Sequence, residues 1–569
     1  MIGAWLIGAA LAAGVEGQDI LRQALQTELD RSLTSLALPG EQPPYWIAYD
    51  VVDGQVATVY AEAGAVLTQD QGPHRQLRVE VRCGDEAFDS GNFDALGEPN
   101  GVVVGGLPLE DEPLALRREI WLHTDQAYKD AVEQLSRKSA ELSVEDLPGP
   151  AQAPIAPQLT DPVAPLAVDG ERIAELVTHL SGMLAQDPAL EEVVAAGRDW
   201  QGTRVTVTSE GTSIVRQTGH AVLRIEAVLR TADGSRVRNG RWWVARSAAE
   251  LPALVELEHQ VRDLQTWLHA MGDAPVLDDW LGPVLFEGPA AVEVFRQLVA
   301  PEVAGTPPVR EGRGPWGAEP VDRPRARVGR RLLPQGWTVV DDPGLDQPGQ
   351  LGLDHEGVPA QRVALVEDGV VRRLLQSRVP WGDSPRSTGH ARAGGGDRRE
   401  AVPTNIAVVP PDSLSGRKLE RAALRLARQT GQERVLVVRR LEPPSMTEDF
   451  DVHFTGEGPP PGLTPPYEAY LLYADGRREA VRGLGFHGVD RRALRDIVAA
   501  GEPGDWHGVM DAEPGPQRYL IGAVGGMPAA WSAPAVLISE LELHGSGGGE
   551  PRIVPAPPVA QGSGDQATP

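Results

Sequence analysis

The 569-residue chain has one cysteine, few aromatics and a shortage of positive charge. A lone thiol, Cys83, excludes an intrachain disulfide and a cysteine-based zinc cluster. It follows the alternating run Gln76-Leu77-Arg78-Val79-Glu80-Val81-Arg82, so it reads as a small strand residue rather than a nucleophile. Lys and Arg number 53 against 80 Asp and Glu, a net charge of -27. Such a surface repels phosphate backbones, so nucleic acid is not an expected partner. The basic run from Arg323 to Arg331 is the local exception and reads as a solvated loop. Long apolar stretches are missing too. The run Met1 to Ala13 is too short to span a bilayer, and no integral membrane segment is expected in the mature chain. Its small residues at Ala10-Leu11-Ala12 suit a cleavage site, although no Lys or Arg precedes them. Residues 1–18 therefore read as a signal peptide of a periplasmic or secreted protein, against the alternative of a buried helix start in a cytoplasmic one. No G-x-S-x-G elbow and no phosphate-loop motif is present.

What is present is ordinary core-forming material, 41% hydrophobic, with 64 Gly and 50 Pro to make turns. Helical spacing appears at 16–38, 114–142, 171–184 and 252–270, and again in short helices at 417–428 and 491–499. Strand-like alternation marks 45–49, 56–60, 77–83, 204–209, 221–229 and 241–245. Beyond residue 275 the texture is mostly β, with runs at 363–366, 370–375, 405–409, 435–439, 469–473, 519–524 and 535–543. Asp53-Gly54, Ala232-Asp233-Gly234, Asp368-Gly369 and Asp475-Gly476 read as turns, since Gly accepts the positive φ a tight turn needs.

The expected fold class is α+β, an N-terminal α+β region packed on a C-terminal, mainly β, barrel-like domain. The expected boundaries are a signal peptide at 1–18 and an N-terminal α+β region at 19–143. A Pro/Ala-rich linker or insertion at 144–168 and a middle α+β region at 169–275 come next. The β-rich domain at 276–544 precedes a disordered tail at 545–569.

Four stretches, taken in order, resemble the TldD/PmbA family of zinc-metallopeptidase-like proteins. They are Gly282-Pro283-Val284-Leu285-Phe286-Glu287-Gly288-Pro289-Ala290-Ala291, Val339-Val340-Asp341-Asp342-Pro343, Asp354-His355-Glu356-Gly357-Val358-Pro359, and Ser387-Thr388-Gly389-His390-Ala391-Arg392 with Pro403-Thr404-Asn405. The N-terminal stretches PPYWIAYDV and LRREIWLHTDQAYKDAVEQL add to the likeness. The resemblance implies dimers that enclose a chamber where unfolded peptide is cut. One subunit type binds zinc through H-E-x-x-x-H on a helix and a Cys near the C-terminus, and the other lacks the motif and serves as its partner.

A hydrolytic zinc needs about three protein ligands and an open position for water. Laid on this chain, the motif falls on Phe286 to Ala291, and neither of those two side chains has a lone pair for a metal. Only Glu287, at the general-base position, remains, and a lone Glu at a helix start is commonly a cap or a solvated residue. The Cys position falls near Ala523 to Met527, where no Cys stands. His259 and His269 are ten residues apart on one helix and read as solvated; His355, His390, His453, His487 and His507 lie in loops. Three readings result. The chain is a non-catalytic peptide-binding or chamber-forming subunit, without a cofactor, in a homodimer or beside a TldD-like partner. Alternatively it is an active metallopeptidase with a rewired metal site, or a structural or binding protein of the cell envelope.

Overall fold

A computed structural model describes residues 2–94, 100–143, 152–164, 166–307, 310–311, 328–379, 381, 386–393, 399–442, 462–511 and 527–545. The N-terminal sheet is six-stranded. In chain order the N-terminal half runs α1 (Ile2–Ser35), β1 (Trp46–Glu62), β2 (Ala65–Arg82), β3 (Phe93–Asp94), β4 (Val102–Gly106) and α2 (Pro113–Glu141). It continues with α3 (Gly170–Leu184), β5 (Leu190–Thr208), β6 (Ser213–Arg230), β7 (Arg236–Ala245) and α4 (Leu254–Gly272). The order across the sheet is β4-β2-β1-β5-β6-β7, antiparallel throughout.

Side chains alternate between the faces of a strand with period two, and here the period is kept over the whole sheet. Ile47, Tyr49 and Val51, Leu77, Val79 and Val81, and Val205 and Val207 lie on one face. They bury against Leu21, Leu25 and Leu29 of α1, spaced four apart, and against Leu116 and Ile120 of α2. Further along the same face, Val59, Ala195, Leu223 and Ile225 meet Ile173 and Val177 of α3 and Leu257 and Val261 of α4. The helices begin where the sequence offers caps. Glu112 accepts from the Ala115 amide at 2.7 Å ahead of Pro113, and Asp169 accepts from the Arg172 amide at 3.0 Å.

The expected turn at Asp53-Gly54 does not form. β1 runs straight through it, and the chain reverses at Ala63-Gly64, with φ of 48° and 81°. Gly54 pairs with Gly202 across β5, and a Cβ there would overlap the Gln201 carbonyl oxygen. The glycine serves close strand approach, the other standing reason for Gly inside a strand. The turns at Gly234, Gly369 and Gly476 form as expected, each with positive φ.

The described part of the Pro/Ala-rich segment runs beside β6. Ser213 donates to the Gln158 carbonyl at 2.8 Å and Thr160 to the Ser213 carbonyl at 3.1 Å. Gln18 of α1, a buried residue, brackets Val163 with bonds of 2.9 and 3.2 Å. Residues 144–151 and 165 of that segment lie outside the described residues.

Among the described residues the C-terminal half holds two large open sheets and a two-stranded ribbon, Ala391–Arg392 with Glu400–Ala401, rather than one closed barrel. In the first, β8 (Asp279–Phe286) lies parallel to Arg434–Leu441 and antiparallel to Val536–Gly545. The second has Thr338–Asp341 and Asn405–Val409 at its centre, flanked by Val363–Glu367 and Met527–Ser532. Both keep free edges among the described residues, and they share one apolar core with α5 (Pro289–Val303). α6 (Gly416–Gln429) covers the far side of the first sheet through Leu419, Ala423 and Ala427. The helix expected at 491–499 is a 3-10 turn, Arg491–Asp496, that passes into a strand at Ile497–Ala500, where Ile497-Val498 favour extended backbone. The strand expected at 519–524, and the tail beyond 545, lie outside the described residues.

Candidate functional site

The motif position sits where β8 passes into α5. Phe286 is the last residue of the strand and Ala291 is in the first turn of the helix. Both are fully buried in the apolar core, and the Phe286 ring tilts against Phe486 at 5.9 Å. Between them Gly288 turns the chain with φ of 55°, and Pro289 opens the helix. Glu287 is half-buried and does not cap α5. Its Oε1 accepts the Tyr470 hydroxyl at 3.2 Å and lies 3.8 Å from Nε of Arg439, whose guanidinium stacks on Trp267 of α4. Burial outweighs these contacts and holds the Glu287 carboxyl above its ordinary range.

The zinc implied by the family resemblance does not fit here. Hydrocarbon fills both imidazole positions, and Glu287 is the one oxygen donor between them. Residues 523–526, near the expected thiolate, lie outside the described residues. Cys83, at the end of β2, is buried in the N-terminal core, and burial pushes its thiol up to about 12.

The histidines do not gather into one site. His259 is exposed, and His269 pairs with Asp187 at 2.5 Å. His487 stacks edge-on to His544 at 5.5 Å on the other side of the C-terminal half, and burial holds His507 below its ordinary range. His453 lies outside the described residues. His390 is fully buried beside Asp341, with Nδ1 at 3.0 Å from the Thr388 carbonyl. His355 reaches a deep concave feature together with His74 and His220.

That feature is a cavity of ≈ 570 Å3 between the second face of the N-terminal sheet and the C-terminal half. The even-numbered residues build its floor: Asp50 and Val52 of β1, His74, Gln76 and Arg78 of β2, Trp200 and Arg204 of β5, Arg216, Thr218 and His220 of β6. Register sets them in rows, with Arg204 opposite both Val52 and Arg216, and Trp200 opposite His220. Gly54 and Gly202 contribute no side chains beside them, which keeps the floor open. The roof is Pro348, the 350–353 strip, His355 and Arg392-Ala393 from the loops the family resemblance singles out, with Met527 and Pro528.

Charge here is crowded and shielded from water. Arg204 binds Asp50 at 2.5 Å, and Arg399 reaches Glu80 at 3.1 Å from across the interface. Glu80 is also held by Arg78 at 2.8 Å and Arg82 at 2.7 Å, which outweigh burial and keep its carboxyl well below the usual range. Arg216 donates to the Leu353 carbonyl. Burial, together with the positive charge of Arg204, draws Arg216 down to about 9. His220 and His355 lie far below ordinary histidine, chiefly from burial and then from surrounding guanidinium groups. Their bonds agree with neutral rings, since Nδ1 of His355 accepts the Ala393 amide at 2.9 Å and Nε2 of His220 faces Nη2 of Arg198 at 3.1 Å. Asp354 beside them is pushed up to about 7 by burial and by Glu356, against three bonds from backbone amides.

Sequence reasoning singled out His355 and Arg392 within family loops but missed Arg204, Arg216 and His220. The available signal was polar residues at even positions, such as Asp50, Arg78, Arg204 and Arg216, beside apolar odd ones, such as Val51, Leu77, Val79, Val205 and Val215. The period separates the faces but does not tell that a second domain covers the polar one.

Comparison with known proteins agrees with this architecture. Residues 282–456 match the model of the PmbA/TldA metallopeptidase C-terminal domain. A metalloprotease of Methanothermobacter thermautotrophicus is 36% identical over 89 residues, 15% of this chain and 19% of that one. A metalloprotease of Archaeoglobus fulgidus is 34% identical over 73 residues, 13% of this chain and 17% of that one. The matched stretch thus spans less than a fifth of either relative. Solved structures are similar over nearly the whole length. TldE of Thermococcus kodakarensis aligns with 92% of this chain and 100% of its own, at TM-score 0.57 and 13% identity. A putative modulator of DNA gyrase from Thermotoga maritima aligns with 91% and 99%, at TM-score 0.57 and 14% identity. At such identities the likeness speaks to the fold alone. Residues 282–456 thus carry a C-terminal domain of the PmbA/TldA metallopeptidase type, within a chain that shares the fold of these solved structures.

Proposed function

We propose that this chain is a non-catalytic, peptide-binding or chamber-forming subunit of the TldD/PmbA type, exported to the periplasm or beyond. It pairs with an identical copy or with a TldD-like subunit. The observation that carries the reading is the filling of the motif position. Two fully buried hydrocarbon side chains, Phe286 and Ala291, stand where active relatives place imidazoles, and Glu287 is engaged by Tyr470. A carboxylate with no metal-bound water beside it has no nucleophile to activate. The loops at 354–359 and 387–392 are kept and roof a cavity, which suits a subunit that holds a polypeptide without cutting it.

The test is incubation of the purified chain with an unfolded polypeptide, with and without a chelator, followed by mass spectrometry. The expected result is an intact polypeptide in both arms. Cleavage that the chelator abolishes would favour a rewired metallopeptidase. Sequencing the mature N-terminus tests export. Cleavage after Ala12 leaves the Gln18–Val163 bonds intact, whereas cleavage after residue 18 removes them.

A further inference from the structure

We propose that the cavity between the N-terminal sheet and the C-terminal half is a carboxylate-binding site, in which Arg216, flanked by Arg204 and Arg392, receives the C-terminal carboxylate of a short peptide. The ligand's identity rests on the peptide-binding reading above; the anion preference rests on the cavity itself.

Among the described residues, five arginines line the cavity, Arg78, Arg204, Arg216, Arg246 and Arg392, beside two acids, Asp50 and Glu250. Arg204 holds Asp50, Arg78 holds Glu80, and Arg246 holds Glu250 at 2.9 Å. Arg216 is bonded to the Leu353 carbonyl. A carbonyl is a weaker counterpart to a guanidinium than a carboxylate is. The nearest other acid, Asp354, is turned to the backbone amides of Glu356, Val358 and Ala391. His220 and His355, held neutral, add no competing charge of either sign. The Nε atoms of Arg204 and Arg216 are buried without a hydrogen-bond partner among the described residues. A shielded guanidinium bonded to a carbonyl favours an entering anion, and its planar fork matches a carboxylate.

The rest of the lining fits a peptide end. Trp200, Val52 and Val104 give apolar wall, and Gln76, Gln217 and Thr218 give polar groups for a backbone. The volume lies within the range of pockets that take small organic ligands. The positive cavity also stands against a chain of net charge -27, so the rest of the molecule does not supply this preference.

The experiment is isothermal titration of the full chain with N-acetyl-trialanine as the free acid, with the same peptide as its C-terminal amide, and with inorganic phosphate. The free acid is expected to bind about tenfold or more tightly than the amide, the difference one charge-assisted bond provides. Arg216→Gln is expected to erase that difference. Thr218→Phe, which fills the cavity and removes no charge, is expected to abolish binding of the acid and decides the matter if Arg216→Gln does not fold. Equal binding of acid and amide overturns the anion site while leaving the peptide-binding reading standing. Binding of phosphate without the peptide acid overturns the peptide carboxylate as ligand, and so does an absence of binding by all three probes. Free-acid binding that survives Thr218→Phe overturns the location.

Discussion

The two faces of the N-terminal sheet come from the same strands and the same period-two pattern, yet they bury opposite chemistry. The odd-numbered face carries Val51, Leu77, Val79 and Leu223 and is sealed by four helices. The even-numbered face carries Asp50, Arg78, Glu80, Arg204 and Arg216 and is sealed by the C-terminal half. An apolar face is stabilised by removal from water in proportion to its area. A polar face covered in the same way must be matched group by group, because each unpaired charge there is costly. The first arrangement makes a fold; the second leaves room for a site wherever the matching stops short.

The comparison breaks most sharply if a hub of the polar face is neutralised. Glu80→Gln removes the negative charge shared by Arg78, Arg82 and Arg399 and is expected to destabilise the chain by about 3–5 kcal/mol in urea unfolding. A loss below about 1 kcal/mol would show that this interface is wet rather than buried. Leu77→Ala on the opposite face is expected to cost about 3 kcal/mol by transfer and cavity terms, with no dependence on salt. The polar face is also expected to sense pH where the apolar face does not. His220 has a native pKa below its unfolded value, so as pH falls through about 6.5 the unfolded chain takes up a proton that the native chain refuses. Stability is then lost toward acid, by about 1.4 kcal/mol per pH unit for each such histidine. Asp354, raised to about 7, contributes the opposite slope between roughly pH 4 and 7, so His220→Gln measured against the parent chain isolates the histidine. The smallest effect is expected at the motif position. Glu287→Gln keeps an acceptor for Tyr470 and is expected to change stability by no more than about 0.5 kcal/mol.

The α+β class and the positions of the main helices were legible in the sequence, because their apolar spacing is long and regular. The turns at Gly234, Gly369 and Gly476 were legible too. Asp53-Gly54 misled because the same dipeptide serves a reversal or a close crossing of strands, and only the partner, Gly202, decides between them. The motif position was legible as a substitution, Phe286 and Ala291 in place of ligands, since metal chemistry is written in residue types. The arginine cavity was not. Its parts come from β1, β2, β5 and β6 and from loops more than a hundred residues further on, and no local pattern encodes which distant loops cover a polar face.

The central proposal is that the motif position of this chain, with Phe286 and Ala291 in place of imidazoles, does not hold a hydrolytic zinc. Mass-spectrometric metal analysis of the intact, purified chain tests it most directly. Zinc far below one ion per chain, unchanged after a zinc-supplemented preparation, is the predicted result. Close to one zinc per chain, removed by a chelator and restored on zinc addition, would contradict it.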